Sequence, residues 1–169
     1  MRPWWLKLAG LCLLLLLSAC GEAPRLQEGE TAPPLGALTL DDQPVDLAQW
    51  RGKYVYLVFW SDSCGGCLQE LPGLDALYRQ HGDRLVVVGV NTDADVARIR
   101  QLQAQLELHF PLVRDQLGIS SERYELQGTP SAYLLDPEGR LLRRQVGAQG
   151  HHSLATLLQP YLSLPEGTG

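Results

Sequence analysis

The sequence predicts an α/β domain, a central mixed sheet with helices on both faces and an N-terminal β-hairpin extension. Three observations carry that prediction. Residues 53–60, KYVYLVFW, and 84–91, RLVVVGVN, are nearly unbroken runs of β-branched, aromatic and aliphatic residues, the pattern of strands buried on both faces. Segments of helical length and spacing alternate with these runs, as parallel crossovers require. Late in the chain, residues 131–136 and 141–146 bracket Pro137-Glu138-Gly139 and read as a closing hairpin.

Taken in order, Leu38-Thr39-Leu40 and Val45-Asp46-Leu47 flank the turn residues Asp41–Pro44, which predicts the N-terminal hairpin. The strand at 53–60 leads into a helix over 64–80, and a second strand follows at 84–91. Val96, Ile99, Leu102 and Leu106 recur at helical spacing, giving an amphipathic helix near 93–107. A short strand at 110–113, a small helix near 116–124, the closing hairpin and a helix over 152–162 complete the domain. In this βαβ–ββα order, ligand and catalytic residues are expected at the carboxyl ends of the strands. Cys64 follows the first long strand at such an end.

The N-terminus has its own logic. Arg2 and Lys7 precede a stretch, residues 8–21, without charge. A spanning helix needs about 20 apolar residues, so this shorter stretch after a basic start reads as an export signal. Leu17-Ser18-Ala19-Cys20 resembles a bacterial lipobox, which implies cleavage after residue 19 and lipidation of Cys20. The chain divides accordingly into a signal peptide (1–19), a lipidated tether (20–33), the domain (34–163) and a short flexible tail (164–169). Acyl chains contribute roughly 0.8 kcal/mol per buried methylene, so a triacylated Cys20 anchors the protein to a bacterial membrane. Gly21, where such lipoproteins often carry aspartate for inner-membrane retention, points towards the outer membrane.

The chain carries 14 basic and 19 acidic side chains, and the signal segment removes only basic ones. With no basic cluster, nucleic acid is an unsuitable partner. Of the four cysteines, Cys12 leaves with the signal and Cys20 takes lipid. Cys64 and Cys67 remain, a lone close pair in an oxidising compartment, where it is a candidate for chemistry. At the start of a helix, unpaired N–H groups and the helix dipole favour a thiolate at Cys64. That lowers a thiol moderately from its free pKa of about 8.5. Cys67, one turn deeper, is the expected resolving thiol. Gly65 and Gly66 add no side-chain donor to the sulfur, and the charge of Asp62 opposes the thiolate if it lies close; its expected place is as a cap on the helix approach. Two other readings of the pair are a buried structural pair and a soft-metal site. Metal would want further thiolates or thioethers, and His81, His109, His151 and His152 lie far off in sequence.

Several stretches carry a family resemblance across residues 29–162. They are Gly29-Glu30-Thr31-Ala32-Pro33, the run DDQPVDLAQWRGKYVYLVFW, CGGCLQELP with Pro72 eight positions beyond Cys64, GVNTD at 89–93, and Gly128-Thr129-Pro130 followed by SAYLLDPEGRLL. Together they resemble the TlpA/ResA-like branch of the thioredoxin-fold proteins, membrane-tethered thiol:disulfide oxidoreductases of the bacterial envelope. The resemblance implies a thioredoxin-like fold, a redox-active Cys64–Cys67 disulfide and no cofactor or metal. It implies a cis-proline loop at Thr129-Pro130 that offers backbone to a substrate strand, and an acid at Glu70 able to take the Cys67 proton. Partners would be periplasmic client proteins with disulfides and a membrane thiol-reducing donor, with the protein itself a monomer.

Two departures are Ser63, where the family has a bulky residue, and Gly66, where it often has proline. Ser131 and Ala132 stand where cytochrome-maturation members carry an acid, so that specialisation is not expected. Three alternatives frame the reading. A peroxiredoxin would need proline at 57 and threonine at 61, where this chain has Leu57 and Ser61. A Sco-like copper chaperone would space its cysteines one residue wider and add a histidine near the last hairpin. An oxidant of envelope thiols would need a reduced thiolate more strongly stabilised than this sequence provides.

Overall fold

The structure is a computed structural model and describes residues 26–162. The signal segment, Cys20, the first part of the tether and the tail lie outside the described residues. The sheet has six strands: β1 (Leu38–Thr39), β2 (Tyr54–Trp60), β3 (Leu85–Asn91), β4 (Leu112–Arg114), β5 (Ser131–Leu135) and β6 (Leu141–Val146). Their order across the sheet is β1-β4-β3-β2-β5-β6. β2 and β3 run parallel from Tyr54 opposite Leu85 to Trp60 opposite Asn91. β4 continues the parallel half, and β5 lies antiparallel on the other side of β2. The long helices are α1 (Gly65–His81), α2 (Val96–Gln105) and α4 (His151–Leu162), with a short α3 at Ile119–Arg123.

Both central strands are buried on both faces, so their alternating side chains feed two cores. On one face Tyr56, Val58, Trp60 and Val87 meet Leu71, Leu74 and Leu77 of α1, Ile99 and Leu102 of α2, and Leu154 and Leu158 of α4. On the other, Leu57, Phe59, Val88 and Val90 pack with Tyr124, Tyr133, Leu35 and Ala37. Each fully buried side chain of this size contributes roughly 1.5–3 kcal/mol. Three helices therefore share one face. The second is covered by α3, a 3-10 helix at Leu47–Trp50 and the chain before β1. Gly89 lets the first core close. A Cβ there would sit 2.6 Å from Leu112 Cδ2 and 3.0 Å from Phe110 Cε2.

Some boundaries differ from expectation, each for a local reason. The N-terminal hairpin is present but short: Leu38 bridges Pro44, and the Thr39 N–H donates to the Gln43 carbonyl at 2.8 Å. Its second arm ends early because Asp46 caps the 3-10 helix, Oδ1 accepting from Ala48 N at 2.9 Å. Leu47 is thus helical. Ala94 at φ 62° and the Asp95 N-cap delay α2 to Val96. Asp115, buried, accepts from Ser120 N and Ser121 N and confines α3 to five residues. Residues 29–33, expected as the end of the tether, dock instead. Gly29 N donates to Leu141 O, Leu141 N to Glu30 O and Ala32 N to Gly139 O.

Candidate active site

Trp60 ends β2, and four residues later the chain enters α1. Cys64 occupies the N-cap with extended backbone, φ −88° and ψ 99°, and its Sγ accepts from the Cys67 N–H at 3.2 Å. A sulfur in the N-cap seat thus does what a serine or aspartate oxygen does at other helices. Asp62 was expected as the cap and is not. It stands two residues too early and engages the next loop instead. Cys64 and Cys67 form a disulfide with Cα atoms 5.2 Å apart. Cys64 is half-buried, whereas Cys67 is 1 % exposed beneath the helix. One sulfur can be reached from solvent and the other is shielded.

Thr129 faces the pair from the loop before β5. Its carbonyl oxygen lies 3.5 Å from the Cys64 Sγ, and the Thr129–Pro130 peptide bond is cis. Pro130 is buried and Thr129 half-buried. The Pro130 carbonyl accepts from Gly147 N, which ties this loop to the end of β6. Glu70 sits one turn beyond Cys67 on the same helical face and is only 7 % exposed. It is therefore not a solvent-facing residue of the helix. Burial pushes its carboxyl above the ordinary glutamate range, opposed by the Gln149 N–H, which donates to Oε1 at 3.3 Å. Tyr56, from β2, is pushed well up by burial, with the Glu70 charge adding to it. The structure thus brings Cys64, Cys67, Glu70, Thr129 and Pro130 to one end of the sheet. Cys20 lies outside the described residues.

The loop after β3 completes the site. Asp93 Oδ2 accepts from Asp62 N at 2.7 Å and from Ser61 Oγ at 2.8 Å. The two carboxyl groups also interact. Asp62 is pushed above the usual aspartate range, first by its hydrogen bond to Asp93, and that same bond pulls Asp93 down. Arg98 Nε lies 3.8 Å from Asp62 Oδ2. Among the described residues no cluster of three or more His, Cys, Asp or Glu could hold a metal ion. His109 is engaged elsewhere, with Nδ1 3.0 Å from Asp75 Oδ2.

The model of the AhpC/TSA family matches residues 29–144, which spans the hairpin, the cysteine helix and the cis-proline loop. The chain belongs to the AhpC/TSA family. Thioredoxin-like protein YneN of Bacillus subtilis is 32% identical over 159 residues, covering 87% of this chain and 91% of the relative. Thiol-disulfide oxidoreductase ResA of Bacillus cereus is 26% identical over 157 residues, with the same coverage. The solution structure of a thiol:disulfide interchange protein from Bacteroides sp. superposes with a TM-score of 0.73 at 26% identity, covering 83% of this chain and 93% of that one. Within the AhpC/TSA family, then, the chain stands beside thiol-disulfide oxidoreductases, and its Cys64–Cys67 pair fits dithiol exchange. The peroxiredoxin pattern, in the same fold, remains unmatched at Leu57 and Ser61.

Two contacts of this AhpC/TSA-family site were not read from sequence. Asp93 is part of GVNTD, a stretch that marked a strand end and gave no sign that its acid reaches back to residues 61 and 62. Gln149 acts through its backbone, which no side-chain pattern records.

Proposed function

We propose that this protein is an envelope thiol:disulfide oxidoreductase that reduces disulfides of client proteins. The observation that carries the reading is the division of labour at α1: a reachable Cys64 sulfur on the helix N-terminus, bonded to a shielded Cys67 one turn below. In the reduced protein, the Cys64 thiolate attacks one sulfur of a client disulfide. A mixed disulfide forms and the first client thiolate leaves. Cys67 then gives its proton to Glu70 and attacks the Cys64 sulfur. The client's second thiolate departs and takes up a proton, leaving the client reduced by two electrons and Cys64–Cys67 oxidised. A dithiol donor at the membrane returns the pair to the reduced state. A buried carboxylate is suited to the proton step because its raised pKa moves it towards working pH.

The Thr129 backbone supports docking of an extended client segment beside Cys64, since Pro130 brings no N–H that would compete. A lipid anchor at Cys20, rather than a spanning helix, is part of the proposal. It rests on the LSAC ending. Reductive direction rests on the modest support for a Cys64 thiolate: a helix terminus and one N–H, set against a nearby carbonyl oxygen.

The test is to trap clients. A Cys67→Ser variant should accumulate mixed disulfides through Cys64, because nothing remains to release them. Trapping by Cys64→Ser instead would reverse the roles of the two thiols. Failure of both variants to trap, with wild-type protein unable to reduce insulin, would remove the exchange reading.

A further inference from the structure

The β3–α2 loop transmits order from the sheet onto the nucleophile. Asn91, fully buried at the end of β3, accepts from Asp93 N at 2.9 Å and from Ala94 N at 2.7 Å through one Oδ1. Those bonds hold Ala94 at φ 62°, a conformation that non-glycine residues rarely adopt and that is maintained only where surroundings over-determine it. The loop so fixed aims Asp93 back across the sheet end. Its Oδ2 receives both the Asp62 N–H and the Ser61 hydroxyl. Having donated to Asp93, Ser61 Oγ is free to accept from Ser63 Oγ at 2.9 Å and from Ser63 N at 3.3 Å. The Ser61 carbonyl accepts from Cys64 N at 3.2 Å. Every residue between Trp60 and the nucleophile is thus tied, directly or through Ser61, to one carboxylate. By its charge that carboxylate opposes a thiolate at Cys64, so any gain it brings must come through the contacts.

We propose that Asp93 is a positioning residue for disulfide exchange, clamping the three residues before Cys64 so that the Cys64 sulfur stays on the α1 N-terminus. The inference rests on the exchange reading with Cys64 as attacking thiol, and adds a residue outside the Cys-x-x-Cys helix and the cis-proline loop. It gives the Ser63 departure a physical setting as well, because a small hydroxyl residue fits the Ser61–Asp93 network where a bulky one could not join it.

Asp93→Ala and Asp93→Asn separate contact from charge. Both remove the same negative charge, but only asparagine keeps an oxygen to accept from Asp62 N and Ser61 Oγ. Two quantities are measured on the full chain: the exchange rate with a small aromatic disulfide at neutral pH, and the pH profile of Cys64 alkylation by iodoacetamide in a Cys67→Ser background. Asparagine keeps a neutral acceptor for both donors and alanine keeps none, and small misplacements of a nucleophile are costly, so D93A should exchange roughly fivefold or more slowly than D93N. Its alkylation profile should lie at higher pH than that of D93N. Coincidence of the two variants in both measurements overturns the proposal. If circular dichroism shows D93A unfolded, Ser61→Ala carries the test, since it keeps the Asp93 charge and loses the Ser61 hydroxyl that links Asp93 to Ser63; exchange as fast as wild type then overturns it. A wild-type protein that reduces no disulfide would sink the exchange reading, while the alkylation profiles would still report on the clamp.

Discussion

Glu70 shows what a single residue position can and cannot say. Its place three residues after Cys67 is legible in the sequence, but whether it faces solvent or core is not, because helical spacing fixes a side and not what covers it. Part of the cover comes from Gln149, 79 positions later, whose backbone N–H lies on its carboxylate. With the folded carboxyl raised above its unfolded value, the native state holds its proton to higher pH. The ionised form is then disfavoured by folding, so Glu70 lowers stability as pH rises through the unfolded and then the folded pKa. Glu70→Gln should therefore raise the melting temperature at pH 7 and leave it unchanged near pH 3, where both states are protonated. The same variant should slow insulin reduction by about a hundredfold, the low end for general-base losses. Wild-type rates together with an unchanged melting temperature at pH 7 would make Glu70 a bystander.

Elements were more legible than residues, because period and length are strong signals in a chain this regular. The apolar runs became β2 and β3, and the periodic Ile99 and Leu102 became the buried side of α2. What escaped was set by tertiary partners. β1 is a two-residue strand held by β4, seventy-odd residues on, and no local pattern encodes that pairing. The docking of residues 29–33 on β6 is likewise a long-range event, hidden behind a polar composition that also suits a tether. A glycine inside a strand, such as Gly89, ordinarily weakens it, so alanine would help if there were room. Leu112, Phe110 and the Trp60 Nε1 at 3.2 Å leave none. Gly89→Ala should thus destabilise by about 1–3 kcal/mol, the usual scale of overpacking. Urea melts of the purified protein read this directly, and an equal or higher midpoint would mean that the Phe110 layer yields.

At the scale of the whole molecule, a two-faced α/β core holds a small reactive corner at the carboxyl ends of β2 and β3, while the N-terminal extension closes over the second face. The proposed lipid anchor rests on the LSAC ending. Cys20→Ala should leave an unprocessed precursor, seen as a larger band in membrane fractions, and normal cleavage with membrane retention would contradict a lipid anchor. Direction of electron flow depends on how well the molecule stabilises a Cys64 thiolate. A helix terminus supplies up to about 2 kcal/mol, whereas a strong oxidant's thiol, with a pKa near 3.5, needs roughly 7 kcal/mol. Here the sulfur meets one N–H, from Cys67, and the Thr129 carbonyl at 3.5 Å. The most direct test is the reduction potential of Cys64–Cys67, measured by equilibration against a glutathione series. The value should lie nearer the roughly −270 mV of thioredoxin than the −120 mV of a strong oxidase. A potential above about −150 mV would contradict it and make the protein an oxidant of envelope thiols.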